Sequence, residues 1–532
     1  MASVRYKKLE NVSDDEEIHV LTDASKSPSN DDKSIKLKRT VGVLDGASIV
    51  VGSMIGSGIF IVPTGILGYC NGDMTMSIII WIIGGIISML MALCYCELAT
   101  LLPESGGTAA YLKAAYGDAV CFVYLWILLV SATPQGSAVQ VIALGDYISN
   151  AIKVLTGQCG SESKLQSKLI GCSIMFLLLV CNMTRVKFAL KIQVWCTVGK
   201  VAALVLISTM GLIMLISDSS LFVANFQHSL SSSIVYSSKT LNISNDVSVL
   251  NTLYASVHTA PDIANFSLAI FQALWAYDGF DNLTYITEEV KKPKKTLPKI
   301  IILSVLFVMG LYVAVNLSYF AVLSEKEMLG SNAVAVSFAA KIHPLLTYAV
   351  TTGVCLSLIG SINVGFLTVG RMPFVAARMG FMPEVLSMIH INCFSPVPAL
   401  LFLTALTSLM LIPSNIDILL KAVIFTLWAF RSGCALGVLI LRWKMKDVKR
   451  PYKVYKVTAV LATVFGFYCV LVPLLFRPQI LYGLSIILAV TFYLIFCLLQ
   501  RGYVQMTGVG KISIFVQKLL MVTATSDEKK IS

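Results

Sequence analysis

The order of apolar and polar positions along the chain is typical of a protein that crosses a membrane many times. Apolar runs recur throughout, and about twelve of them have the length of about 20 residues that a helix needs to span the hydrocarbon layer. Short polar or basic loops separate these runs. The pattern therefore predicts an all-α membrane protein with about twelve transmembrane helices, in a transporter-sized domain covering residues 41–500.

Polar segments flank this domain and interrupt it once. Residues 1–40 are predicted to form a disordered cytoplasmic tail, and residues 501–532 a second cytoplasmic tail. Residues 217–262 form a long polar insertion, which is predicted to be an extracellular loop. The insertion contains Asn242-Ile243-Ser244, a sequon that makes Asn242 a candidate for glycosylation.

Two of the apolar runs contain glycine and polar residues that predict broken helices. The first is VVGSMIGSGIFIVPT (Val50–Thr64), and the second is FQALWAYDGF (Phe271–Phe280). Irregular backbone at membrane depth is tolerated only beside a cavity or other protein, and free N–H groups at half-helix ends attract carboxylates. Close helix packing by small residues is the alternative explanation, and it would be preferred for a single break. Two breaks in corresponding halves indicate a substrate site at the midplane.

Composition excludes several classes of protein. With 56% hydrophobic and 13% charged residues among 532, and a mean hydropathy of +0.80, the chain is not an ordinary soluble enzyme. The net charge of +12 does not indicate nucleic-acid binding, because the basic residues sit in short loops and follow the positive-inside rule. Cys94 and Cys96 lack zinc-ligand spacing and no HExxH motif is present, so no metal or cofactor is expected.

The basic loops also predict an orientation. Alternating the spans places the strongly basic loops and both termini in the cytoplasm, and it places the loops with Cys159 and Asn242 outside. The loop with Cys159 weakens this orientation, because Lys153, Lys164 and Lys168 would then lie outside as well.

Several short motifs show a resemblance to a known family. The chain resembles the L-type amino acid transporters, the light subunits of heteromeric amino acid transporters, within the amino acid–polyamine–organocation superfamily. The resemblance runs from about Arg39 into the C-terminal tail. It rests on these motifs: GSGIF (56–60), CYCEL (94–98), SGG (105–107), WAYDGF (275–280) with TEE (287–289), NAVAV (332–336), TVGR (368–371) and PVP (396–398).

The resemblance implies two inverted five-helix repeats plus two extra helices, with helices 1 and 6 broken. It implies that a substrate α-carboxylate lies on backbone N–H groups at the first break, and that the α-ammonium lies on carbonyls freed at both breaks. Trp275 is implied to close over the substrate. The expected substrate-binding residues are Met54, Ile55, Gly56, Ser57, Gly58, Trp275, Ala276, Asp278 and Asp281.

Ionisable residues inside spans are costly and are treated as site residues. Lys200 is too deep in its apolar run to reach an interface easily. The resemblance places its ammonium where related sodium-coupled carriers hold a sodium ion. Arg431, in the tenth span, has two possible roles: it neutralises an aspartate, or it attracts an acidic side chain of the substrate.

Departures from the family pattern concern specificity. Asp278 stands where many neutral-substrate members have glycine, and members that accept cationic amino acids carry an acid. Together with Asp281, two acids against the one base Arg431 favour neutral and cationic substrates. A separate departure concerns the inner gate: Met379 and Phe381 replace a glutamate and a histidine that are usual in the cytoplasmic motif after Arg371.

The predicted function is a sodium-independent amino acid exchanger that works by alternating access and is not an enzyme. The alternatives are an anionic amino acid or cystine exchanger that uses Arg431, an amino acid-gated channel, and a structural membrane scaffold. Cys159 is expected to form a disulfide with a single-spanning glycoprotein heavy chain, and the resemblance places the complex in the plasma membrane. Other expected partners are amino acid substrates and membrane lipid.

Overall fold

The computed structural model describes residues 41–103, 106–156, 164–226, 260–331, 333–391, 393, 395–412, 416–476 and 480–500, with 517, 520, 522 and 523 from the C-terminal region. Its helices are α1 (Val43–Met54), α2 (Gly58–Tyr69), α3 (Met74–Leu101), α4 (Thr108–Tyr116), α5 (Asp118–Ile127), α6 (Thr133–Thr156), α7 (Lys164–Thr184), α8 (Val186–Ser217), α9 (Ala260–Ala276), α10 (Pro293–Val322), α11 (Glu325–Leu329), α12 (Val334–Ile342), α13 (Pro344–Leu367), α14 (Met372–Arg378), α15 (Val397–Met410), α16 (Ile416–Lys444), α17 (Lys456–Phe476) and α18 (Ile480–Gln500).

Several helices begin where the local sequence satisfies the first N–H groups. The Asp73 carboxylate accepts a hydrogen bond from the Met76 N–H at 3.0 Å and caps α3. Pro293 and Pro344 stand in the first turns of α10 and α13, where the missing N–H of proline costs nothing. The exposed helix α11 has a capping box, in which Ser324 and Glu327 bond each other's backbone N–H groups.

Within the described residues, ten helices or helix pairs are long and apolar enough to cross a membrane, and two shorter apolar helices accompany them, at Asn265–Ala276 and Val397–Met410. Together they match the twelve predicted spans, and the protein is a multi-pass membrane protein. The prediction of an all-α membrane fold is confirmed. Many large apolar side chains on α17 and α18 point outward, as expected for helices that face lipid.

The two broken helices lie among long, continuous ones. Helix α2 packs on α9, α1 packs on α8 and α10, and α13 packs on both α8 and α6. The break in the first span, between Met54 and Gly58, and the end of α9 at Ala276 therefore face each other inside the bundle. A π-helical segment, Leu128–Ala132, separates α5 from α6 beside this region.

Smaller elements occupy one end of the bundle. The linker between the second and third spans forms the mostly buried helix α4. A 3-10 helix, Asn282–Glu289, follows the second break, and Val41 pairs with Val290 as a parallel bridge. Strands β1 (Ile389–His390) and β2 (Val522–Thr523) form a short antiparallel ladder.

Candidate substrate site

The first break leaves backbone donors free. The last α-helical bond of α1 runs from the Ile55 N–H to the Val51 carbonyl at 2.8 Å, and the backbone then turns at Ile55 (φ −77°, ψ 81°). Within the described residues, the N–H groups of Ser57 and Gly58 make no backbone hydrogen bond, and the buried Ser57 hydroxyl has no partner. Such free donors at the start of α2 are suited to an anion.

The second break brings its backbone against the first. Gly279 has φ +101°, a conformation that favours glycine, and a Cβ there would lie 2.6 Å from the Ser53 Cβ. A Cβ on Gly58 would lie 2.6 Å from the Ala276 Cα. Glycine at both positions therefore permits direct contact between the two irregular segments.

One tyrosine hydroxyl lies within hydrogen-bonding distance of a carbonyl from each of the two breaks. The buried Tyr312 hydroxyl, on α10, lies 2.7 Å from the Met54 carbonyl oxygen and 3.1 Å from the Ala276 carbonyl oxygen. One O–H group donates to one carbonyl at a time, so the other carbonyl keeps capacity for a further donor. These are two of the carbonyls expected to receive a substrate ammonium, and that role remains a prediction.

A cavity of about 140 Å³ lies between the breaks. Its lining includes Met54, Gly56, Ser57, Gly58, Trp275, Asp278 and Arg431 from the predicted set. Ile55, Ala276, Asp281 and Lys200 are buried behind the wall and do not line it.

The cavity also has a polar wall that the sequence analysis missed. Thr133, Gly136, Ser137 and Gln140 on α6 line it, together with Ser361 on α13. The four α6 residues stand at i, i+3, i+4 and i+7, so they share one helix face. This spacing of small and polar residues in an apolar span was the signal that would have found them.

Lys200 is fully buried beside the first break. Its ammonium donates to the Gly52 carbonyl at 2.8 Å and to the Ile55 carbonyl at 2.6 Å, and it lies 3.4 Å from the Ser361 hydroxyl. The Ser357 hydroxyl donates to the same Ile55 carbonyl at 3.1 Å. The ammonium thus joins α8, α1 and α13, and its role as a substitute for sodium stays a prediction.

Arg431 pairs with both aspartates. Its Nη2 contacts one oxygen of Asp278 and lies 3.0 Å from one oxygen of Asp281, whose other oxygen accepts from the Tyr285 hydroxyl at 3.2 Å. The guanidinium also lies 5.1 Å from the centre of the Phe280 ring. Of the two roles open for Arg431, pairing with aspartate is the one observed. Within this cluster Asp278 has the most exposed side chain, at 22%, against 6% for Arg431 and 1% for Asp281.

Two predicted residues, Cys159 and Asn242, lie outside the described residues, so their disulfide and glycan remain predictions. Met379 and Phe381 lie near α4, where the Lys113 ammonium is 5.5 Å from the centre of the Phe381 ring and the Trp126 indole donates to the Phe381 carbonyl at 3.1 Å.

Comparison with known proteins identifies the family. The sequence profile described as amino acid permease matches residues 41–499. The chain belongs to the amino acid permease family. This permease is 32% identical over 475 residues to the human protein named large neutral amino acids transporter small subunit 2, covering 88% of this chain and 82% of the relative.

Two other human relatives have a comparable sequence identity to this chain. The cystine/glutamate transporter is 34% identical over 430 residues, covering 81% of this chain and 79% of the relative. The b(0,+)-type amino acid transporter 1 is 30% identical over 503 residues, covering 94% of this chain and 96% of the relative. The family is one of membrane transporters rather than enzymes, so the recognition made from the motifs is confirmed.

Proposed function

We propose that this permease is a sodium-independent exchanger of neutral and cationic L-amino acids. The proposal is supported by a cavity placed between two broken helices, with free N–H groups on one side and partly free carbonyls on the other. This pair of surfaces suits the carboxylate and the ammonium that every amino acid carries. Alternating access would arise as the two irregular segments tilt or unwind against the continuous helices around them.

The observation that carries the substrate range is the exposure of Asp278. It is the more exposed of the two charged groups that line the cavity, and the other, Arg431, is paired with both aspartates. A carboxylate in a partly dehydrated site attracts a lysine or arginine side chain, and an apolar side chain is accommodated by Leu128, Val423 and Leu427.

A second candidate is exchange of anionic amino acids or cystine. Arg431 lines the cavity, and one relative is named a cystine/glutamate transporter. Competition among leucine, arginine and glutamate for uptake of a labelled substrate separates the candidates. We expect leucine and arginine to compete and glutamate to fail; strongest competition by glutamate would favour the anionic exchanger.

Exchange itself is tested by preloading. Radiolabelled leucine uptake into proteoliposomes should rise at least several-fold when they contain unlabelled leucine, because an exchanger returns fastest with its site occupied. An amino acid-gated channel would show no such stimulation. Replacement of external sodium by choline should leave the rate unchanged, since the Lys200 ammonium is proposed to supply the charge that sodium supplies in related carriers.

We further propose that the permease is the light subunit of a plasma-membrane heteromer. One relative's name includes the words small subunit, and Cys159 lies in a loop that the basic residues predict to be external. Extracellular conditions favour disulfides, so Cys159 is the proposed link to a single-spanning glycoprotein. Both termini are proposed to be cytoplasmic, with Asn242 available for glycosylation outside.

A further inference from the structure

The cluster around Arg431 has more acid than base. Asp278 and Asp281 contact the same guanidinium nitrogen, and the other terminal nitrogen, Nη1, is buried without a partner among the described residues. Asp278 also accepts a hydrogen bond from the Gly279 N–H at 2.6 Å. With both carboxylates ionised, the cluster carries one uncompensated negative charge at the wall of the cavity.

In the part of the chain that the structure describes, no other charged group near the cluster removes this charge. Among the described residues that line the cavity, Asp278 and Arg431 are the charged ones. The other titratable groups facing the cluster, from α3, α4, α5, the 3-10 segment and α16, are uncharged in their ordinary forms near neutral pH; they are Tyr95, Tyr111, Tyr124, Tyr285 and Cys434. The Lys200 ammonium is committed to carbonyls of α1.

The cost of this charge depends on what fills the cavity. Water in an open cavity solvates the exposed oxygen of Asp278. A neutral, apolar side chain that displaces this water leaves the excess charge in a low dielectric, where an unpaired carboxylate takes up a proton instead. A lysine or arginine side chain supplies the missing positive charge itself, so no proton is needed.

We propose that the Asp278–Arg431–Asp281 cluster binds one positive charge in each transport step, either a proton with a neutral substrate or the side chain of a cationic one. This inference rests on the proposed exchange of both substrate classes. When leucine enters and arginine leaves, one proton enters with leucine and one positive charge leaves with arginine. The exchange is therefore electroneutral and acidifies the compartment that receives leucine.

Proteoliposomes made with the full-length protein, together with any subunit that co-purifies, test this inference. Leucine/leucine and arginine/arginine exchange are measured first, and neither should move net protons. Leucine uptake against internal arginine should then lower the pH reported by a trapped dye, by about one proton per leucine, at a rate that an imposed potassium-diffusion potential changes less than about twofold.

The outcomes separate this inference from the function on which it rests. Loss of either homoexchange would overturn the proposed function. Normal homoexchange with a leucine–arginine exchange that depends on membrane potential and moves no protons would overturn the proton site alone.

Binding to the purified protein gives a second test that needs no transport. Leucine binding takes up the proton, so the leucine Kd should rise by up to about tenfold per unit rise in pH, while the arginine Kd should not rise with pH. Asp278→Asn should flatten the pH dependence of the leucine Kd, and the matched control Lys341→Gln, which alters an ion pair outside the cavity, should keep it.

The Lys341–Glu327 ion pair used as the control does not change its charge over the pH range of this binding test. Hydrogen bonds from Lys341 and the Ser324 N–H lower the pKa of Glu327 to about 2, so its charge is constant across neutral pH. A leucine Kd that is independent of pH in the unmodified protein would contradict the inference, whatever the variants do.

Discussion

At the scale of single residues, Lys200 is the side chain with the clearest physical role. It is fully buried in an apolar helix, and its ammonium replaces the hydrogen bonds that the Gly52 and Ile55 carbonyls lose at the break. A buried charge is stable only when its donors are used in this way. The lysine therefore fixes the geometry of the break as well as its charge.

We expect Lys200→Ala to reduce leucine uptake at least tenfold. The alanine removes the donor of the buried Gly52 carbonyl, at a cost of about 1–3 kcal/mol, and leaves the Ile55 carbonyl with the Ser357 hydroxyl alone, so the break loses support. Uptake normalised to surface expression checks this, with Lys341→Ala as the control because Lys341 pairs with Glu327 at an exposed site. Normal uptake by Lys200→Ala, or a sodium requirement in the unmodified protein, would contradict the role given to Lys200.

Sequence alone predicted that Lys200, Asp278 and Arg431 face the interior, because charge in an apolar span has no other stable place. It did not assign the partners of Arg431. The residues of that cluster are separated by about 150 positions, and their pairing depends on how α16 is rotated against the second break. It also did not separate Asp278, in the cavity wall, from Asp281 behind it.

At the scale of elements, close contact between the two breaks depends on glycine. Gly58 opens α2 directly against Ala276, the last residue of α9. The sequence predicted both breaks because glycine interrupts an apolar run at each of them. The π-helical segment at Leu128–Ala132 contains no glycine, and the sequence pattern did not predict it.

We expect Gly58→Ala to lower leucine uptake at least tenfold, because its Cβ would lie 2.6 Å from the Ala276 Cα and would push the breaks apart. Gly310→Ala on α10 is the matched control, since a Cβ there meets no heavy atom of the described residues within 4 Å. Both variants are compared by uptake per molecule at the surface. Equal activity of the two would show that the breaks do not need to touch.

At the scale of the whole molecule, Glu97 connects distant parts of the chain. The carboxylate is completely buried at the end of α3 and accepts from Arg442 Nε at 3.0 Å, from Arg450 Nη1 at 3.1 Å and from the Val454 N–H at 2.9 Å. Helix α16 and the loop that follows it are thereby tied to α3. Glu97 belongs to the CYCEL motif used for the family resemblance, but the sequence did not identify its partners, which lie more than 340 residues away.

We expect Glu97→Gln to destabilise the protein by about 3–5 kcal/mol, because both arginines would lose their counter-charge in a buried site. The melting temperature of the detergent-solubilised protein checks this. Glu327→Gln is the control, and its exposed ion pair should contribute no more than about 1 kcal/mol. That contribution should be constant at neutral pH and disappear as the pH falls from about 4.5 towards 2, because the pKa of Glu327 is lowered to about 2.

Assembly gives a further prediction at this scale. On a non-reducing gel, Cys159→Ser should remove a high-mass band that the unmodified protein forms with its native partner. Cys172→Ser, which alters a half-buried cysteine in α7, should keep the band. Persistence of the band in Cys159→Ser would show that another cysteine, or none, links the subunits.

The backbone bridge at Val41 has a consequence for how such proteins diverge. The Val41 N–H donates to the Glu289 carbonyl at 3.0 Å, and the Lys291 N–H donates back to the Val41 carbonyl at 3.1 Å. The chain entering the first broken helix is thus fastened to the chain leaving the second, by atoms that every residue except proline possesses. Side chains at these positions can therefore change during evolution while both backbone hydrogen bonds are kept. Its signature across relatives would be an avoidance of proline at positions 41 and 291 rather than any preserved residue.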